Sequence, residues 1–229
     1  MNFSQILAKN MNYNGYIYSV LLIFEPDKIY AISSSRQGIT KVFDLNDNNN
    51  LIEIKNSNFN IYFLLYWRNS KNNKHNIIQC GRGKILISEF PNNETYHEFI
   101  SEKEYLYNMG GIIFKFQGKD FLAVSATYGL IQICNLEHKQ VFTKIKLNDV
   151  FLYSFVKWND KYLLINDSKN NSILVFDMNK NNFEIKKKIE CPDMKYERFI
   201  KKVEHPVYGE SIISIGIEFK LKLYINEKE

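Results

Sequence analysis

The chain has 229 residues, 45% of them hydrophobic and 15% aromatic, with 30 basic and 25 acidic side chains and a formal charge of +5. Length allows one or two domains with a substantial core, and the modest charge permits an acidic partner without demanding one. No stretch reaches the roughly 18 apolar residues of a membrane-spanning helix, and three cysteines without CxxC spacing, Cys80, Cys134 and Cys191, suit reduced buried thiols rather than a disulfide or metal framework.

In chain order, residues 3–8 come first; Phe3, Ile6 and Leu7 fit one turn of helix, and the same segment fits a strand. Apolar runs then follow at 16–24, 29–34, 39–45 and 51–54, separated by a Pro26-Asp27 turn, a turn ending at Gly38 and an Asn-rich loop. This is the pattern of an antiparallel meander with tight hairpins. A second set occupies 61–67, 77–80, 85–90 and 96–100, a third 111–116, 121–125, 130–136 and 141–147, and a fourth 151–158, 162–166, 173–178 and 183–189. The last set has three runs, 199–203, 211–215 and 220–225. First runs are continuously apolar, which predicts strands buried on both faces. The outer run 183–189 alternates and carries Lys186, Lys187 and Lys188, which predicts a half-exposed strand with its edge blunted by charge.

The sets share an anchor. Gly38, Gly83, Gly129, Asn171 and Phe219 are each followed by an apolar residue four positions on, and the first four also seven positions on, with anchor spacings of 45, 46, 42 and 48. Four of the five first runs end in an aromatic residue, Phe24, Trp67, Phe116 and Trp158. A period of this length with three or four strands per unit predicts an all-β protein, a β-propeller of about five four-stranded blades. The blades fall at 12–55, 56–101, 102–148, 149–192 and 193–229 of a single domain spanning 1–229. Because the last set lacks a fourth strand, residues 1–11 are the candidate closing strand, and an incomplete or open propeller is the alternative.

The run from Phe24 to Leu45, with FEPDK, a small-residue strand ending SSSRQG and then ITKVFDL, resembles the WD-repeat family, in which a Trp-Asp pair closes the third strand of each blade. The corresponding pairs here are Phe43-Asp44, Ser88-Glu89, Cys134-Asn135, Phe176-Asp177 and Tyr224-Ile225. The resemblance spans nearly all of residues 12–226. The Gly-His dyad that often opens such repeats is absent, so the family's Asp-His-Ser-Trp hydrogen-bond network is not carried over to any blade.

Reactive constellations are not evident. His75, His97, His138 and His205 fall in four different sets near loops or outer strands and read as solvated, not as metal ligands. Gly81, Gly110 and Gly111 match no phosphate-binding motif and read as turn or bulge glycines. Glu25 and Asp27 sit in a turn, and Asp44, Glu89 and Asp177 at strand ends, where capping is the ordinary role of a carboxylate. Cys80 and Ser125 are strand residues with no base in view. The sequons at Asn93 and Asn170 carry no weight without secretion. The expectation is therefore no enzyme, with no catalytic, cofactor-binding or metal residues and no cofactor.

The resemblance implies a binding face where second-to-third-strand turns meet the inter-blade links. The candidate partner-binding residues there are Tyr16, Arg36, Arg82, Tyr107, Met109, Tyr128 and Lys169, with Tyr13 and Tyr105 nearby in sequence. Tyr, Arg and Met are enriched at interfaces because they join apolar area to directional hydrogen bonds. The expected function is a non-catalytic scaffold or adaptor that binds a protein or peptide partner, with acidic partners permitted by charge. One alternative is a partial propeller completed by another chain; another is a sugar-binding or glycosidase-type five-bladed propeller, which would need acids lining the channel. The basic stretches at 186–188 and 195–202 read as solvated surface, not as a nucleic-acid site. The first fifteen residues, MNFSQILAKNMNYNG, lack the pattern of a secretory leader, so a cytoplasmic location is expected.

Overall fold

The computed structural model describes residues 16–47, 51–55, 60–91, 94–100, 106–178, 183–191, 197–207, 209–216 and 221–225. The described residues are all-β, with one three-residue 3-10 turn, Thr127–Gly129, and no α-helix. The expectations placed on Phe219 and on residues 1–11 lie outside them. The chain forms two compact units, Met1–Tyr107 and Asn108–Glu229, divided near the start of the third repeat.

The first unit holds two sheets. One is built from β1 (Ile17–Phe24), β2 (Ile29–Ser35), β3 (Ile39–Asp44) and β4 (Leu51–Lys55), the other from β5 (Ile61–Arg68), β6 (His75–Gly81), β7 (Lys84–Phe90) and β8 (Thr95–Ile100). The second unit holds three. They are β9 (Asn108–Phe116), β10 (Lys119–Ala126), β11 (Leu130–Asn135) and β12 (Gln140–Lys146); β13 (Leu152–Lys157), β14 (Tyr162–Asp167), β15 (Ser172–Asp177) and β16 (Glu184–Glu190); and β17 (Glu197–His205), β18 (Gly209–Gly216) and β19 (Leu221–Ile225). Every pairing is antiparallel between strands adjacent in sequence, so each sheet is a simple meander.

The repeated anchors are explained by backbone conformation. Gly38, Gly83, Gly129 and Asn171 have φ of 77°, 74°, 71° and 47°. All lie in the left-handed region, which glycine enters freely and asparagine tolerates better than most residues. At Gly129 a second constraint applies, because an added Cβ would stand 2.3 Å from the Leu147 carbonyl oxygen.

Cores lie between consecutive sheets of each unit. Ile23, Ile32 and Val42 pack with Ile61, Leu64, Ile77 and Leu86 in the first unit. In the second, Phe114, Phe121 and Ile133 meet Phe155, Leu163, Phe176 and Phe183, while Val156, Leu164 and Val175 meet Ile200 and Ile212. Second and third strands are the buried ones: β6 and β11 are almost wholly enclosed. This corrects the expectation for first strands. In β1 the side of Leu21 and Ile23 packs against the second sheet, but Tyr18, Val20, Leu22 and Phe24 are exposed. Alternation sends these four to the opposite side of the strand, so a continuous apolar run need not mean two covered faces. Of the run-ending aromatics, Trp67 and Phe116 are buried whereas Phe24 is 69% exposed. The outer strand β16 is likewise exposed at every residue instead of alternating, with the preceding Phe183 carrying the burial.

Each first strand contains an irregularity near its start. Tyr18, Tyr62, Met109 and Arg198 are each skipped in the ladder to the second strand, and Tyr153 and Ser154 together face Asn166. These are β-bulges, which add a residue and re-aim the local backbone. The Ser154 N–H that the bulge frees donates to Asn166 Oδ1 at 2.7 Å. Gly110, beside the bulge at Met109, is needed for a different reason: a Cβ there would lie 1.5 Å from the Tyr153 carbonyl oxygen on β13.

Two substitutions test this packing. Phe176, 1% exposed, when changed to Ala should lower stability by about 3–5 kcal/mol in denaturant titration. Gly110→Ala should lower it by on the order of 3 kcal/mol, because backbone on both sides of the contact cannot yield as a side chain would. A loss under about 0.5 kcal/mol in either variant would show that the strand is misplaced.

Candidate binding rim

The bulges bring aromatic side chains together at the end of the first unit that carries the β2–β3 and β6–β7 turns. The Tyr18 and Tyr62 rings lie 5.4 Å apart with a 44° tilt, and Tyr62 and Tyr107 lie 5.5 Å apart, edge to face at 89°. Arg82 pairs with Tyr107 through an isolated antiparallel bridge, and its guanidinium sits 5.7 Å from the centre of that ring. The Arg36 N–H donates to the Tyr16 carbonyl at 3.1 Å, and its side chain is close enough to Tyr62 to act on the phenol electrostatically. Burial pushes the Tyr62 phenol up, against the opposing pull of a hydrogen bond with Asn60 and the charge of Arg36. Tyr62 is therefore a hydroxyl donor at neutral pH.

Four of the sequence candidates, Tyr16, Arg36, Arg82 and Tyr107, thus belong to one neighbourhood, and Tyr18 and Tyr62 join it. Those two were missed because both sit inside strands, where alternation alone assigns them to a packed sheet. The signal available was positional: Tyr18, Tyr62, Met109, Tyr153 and Arg198 recur at intervals of 44 to 47 residues near the start of a first run. Tyr13 and Tyr105 lie outside the described residues.

In the second unit the remaining candidates are engaged separately. Tyr128 is exposed in a left-handed conformation, with φ of 63°, and its carbonyl accepts from Lys146 Nζ. Lys169 forms an ion pair with Asp149 and lies 5.7 Å from the Phe151 ring centre. Met109 is the half-buried bulge residue of β9.

A different cluster joins the two sheets of the first unit. Glu25, after β1, places Oε1 2.5 Å from His75 Nδ1 and 3.2 Å from the Tyr66 hydroxyl, and that hydroxyl is 2.7 Å from the same ring nitrogen. A carboxylate only accepts, so it takes donors from both phenol and imidazole and holds the proton on Nδ1 when the ring is neutral. The expectation of a solvated histidine is corrected for His75, which starts β6 half-buried and tied to a neighbouring sheet. Burial, followed by the charge and hydrogen bond of Glu25, pushes the Tyr66 phenol up to about 12.

Of the strand-end acids, Asp44 holds a turn and Glu89 pairs with Lys74 at 2.7 Å. Asp44 Oδ1 accepts the Asn46 N–H at 3.0 Å, and its Oδ2 lies 3.1 Å from Lys28. Burial raises its pKa, but the Lys28 and backbone hydrogen bonds outweigh that and hold it below the usual carboxylate value. Asn135, at the equivalent place on β11, accepts the His138 N–H at 3.0 Å. Ser125 is enclosed and donates to the Leu152 carbonyl at 3.0 Å. Cys80, Cys134 and Cys191 are buried and unbridged, with burial pushing the Cys134 thiol up to about 12. Among the described residues no group of three or more His, Cys, Asp or Glu is placed to hold a metal ion, and no helix is long and apolar enough to cross a membrane.

No protein-family model and no curated protein matches this sequence.

The Tyr66 latch yields a pH dependence of definite sign. An unfolded phenol releases its proton near pH 10, whereas the folded Tyr66 keeps it to about 12. Between these values the unfolded chain binds fewer protons, so stability falls as pH rises. Tyr66→Phe should show a shallower decline than the unmodified protein in melts from pH 9.5 to 11.5. Parallel declines would show that Tyr66 is not shielded as described.

Proposed function

We propose that the chain is a WD-repeat-like β-propeller of about five blades, acting in the cytoplasm as a non-catalytic scaffold that binds a protein or peptide partner. The observation that carries this reading is the Tyr18, Tyr62 and Tyr107 series flanked by Arg36 and Arg82 at one end of the first unit. Tyrosine presents large rigid area with a polar tip, and arginine adds a planar fork of donors, the pairing found at interface hot spots. Five successive meanders, each with a bulge in its first strand, and equivalent left-handed turns in the first four support the repeat architecture. Three unbridged thiols suit a reducing compartment. A photo-crosslinking amino acid at position 62 should capture a discrete partner from cell extract, and the same group at position 187 on the outer strand should not. Equal capture at both positions would reject the rim as the binding face.

The three-stranded last sheet favours a second reading, a partial propeller completed by another chain. In the leading reading residues 1–11 supply the missing outer strand, so deleting them should lower the melting temperature by at least about 2 °C and increase aggregation through the open edge. An unchanged melting temperature together with concentration-dependent dimerisation would select the second reading.

A further inference from the structure

Resting on the scaffold reading above, we infer that the rim of residues 1–107 receives an acidic peptide segment, with Arg36 and Arg82 taking its carboxylates and the tyrosine edges flanking its backbone. The first argument is charge balance. Lys28, Lys41, Lys74 and Lys84, all in this unit, lie 3.1, 3.8, 2.7 and 3.2 Å from Asp44, Glu53, Glu89 and Glu98. Arg36 and Arg82 have no carboxylate partner among the described residues, although both are exposed and their backbones are held by hydrogen bonds or bridge pairing to Tyr16 and Tyr107. Arg68, at the end of β5, bonds Asn73 Oδ1 instead of a carboxylate, and at the rim Arg36 and Arg82 set two such charges beside the aromatic side chains. Guanidinium groups meet carboxylates through paired parallel hydrogen bonds, a fit that a lysine ammonium lacks.

The second argument is ring geometry. Rings tilted by 44° and 89° turn edges toward one another and leave no parallel slot between successive faces. Single-stranded nucleic acid binds chiefly by stacking bases on open faces, so this arrangement suits a peptide better. Steps of 5.4 and 5.5 Å along the three rings cover about three residues of extended chain. A peptide with acidic side chains at alternate positions presents its carboxylates on one side of an extended chain.

The test uses the full chain and fluorescence anisotropy with a fluorescein-labelled (Glu-Ala)4 peptide. Comparators are (Gln-Ala)4, a phosphoserine version (pSer-Ala)4 and a ten-nucleotide oligouridine. The glutamate peptide should bind at least about 10-fold more tightly than the glutamine peptide, as charge-assisted hydrogen bonds imply, and should weaken as salt rises. Arg36→Ala and Arg82→Ala should each weaken it by about 10-fold or more, with melting temperatures unchanged because both side chains are exposed. Arg82→Lys should recover only part of the loss, and Lys187→Ala should leave binding intact. Equal binding of the glutamate and glutamine peptides, an equal loss in Lys187→Ala, tighter binding of oligouridine or phosphoserine peptide, or no binding of the glutamate peptide would each overturn the inference. Failure is separable from failure of the scaffold reading: crosslinking at position 62 would still capture a partner if only the acidic assignment were wrong.

Discussion

Successive sheets in each unit meet along their first strands, through contacts that reach the neighbouring backbone. Ser19 Oγ accepts the Leu64 N–H at 3.1 Å, 45 residues on, and Ser154 Oγ donates to the Ile200 carbonyl at 3.1 Å, 46 residues on. Between β9 and β13 the same approach is made at Gly110, which has no side chain to accommodate. At Gly110 even a methyl group would force the strands apart. Where serine occupies the position, the contact also satisfies a backbone group of a first strand that pairs with another strand on one side only. The apolar clusters farther along each sheet depend on this spacing, because interdigitating side chains tolerate little change in separation.

The meanders were legible because they rest on local rules. Alternating runs, the Pro26-Asp27 turn and the anchors at Gly38, Gly83, Gly129 and Asn171 report backbone conformations that few residues adopt, so a short window suffices to see them. Strand ends moved by a few residues, as expected where turns and ladder ends share hydrogen bonds. Coverage was not legible. Ile17 to Phe24 reads as a doubly buried strand, yet one side is exposed, since a sequence run carries no information about how many neighbours its sheet will find.

The candidate site was legible only in part. Arg36 and Arg82 stand in turns, where an exposed charged residue is naturally noticed, and Tyr107 lies next to a repeat boundary. Tyr18 and Tyr62 are concealed by good strand propensity, and their shared role depends on a bulge that propensity does not encode. Glu25, Tyr66 and His75 come from three different elements of two sheets, and only the fold makes them neighbours. Lys169 shows the opposite error of scale: an attractive exposed cation whose charge is already balanced by Asp149.

The bulges separate two demands that most strand positions must meet together. A residue in the regular ladder has to match its cross-strand neighbour, so changing it perturbs the sheet. The extra residue of a bulge has no directly opposed partner, and in this chain Tyr18, Tyr62, Met109 and Arg198 occupy the single-residue bulges while Tyr153 shares one with Ser154. Such positions can exchange an aromatic for a thioether or a cation with little disturbance of the surrounding hydrogen bonds. Each unit thereby keeps mutable sites on an inflexible frame, so that new recognition can evolve at the bulges while the sheets around them stay the same.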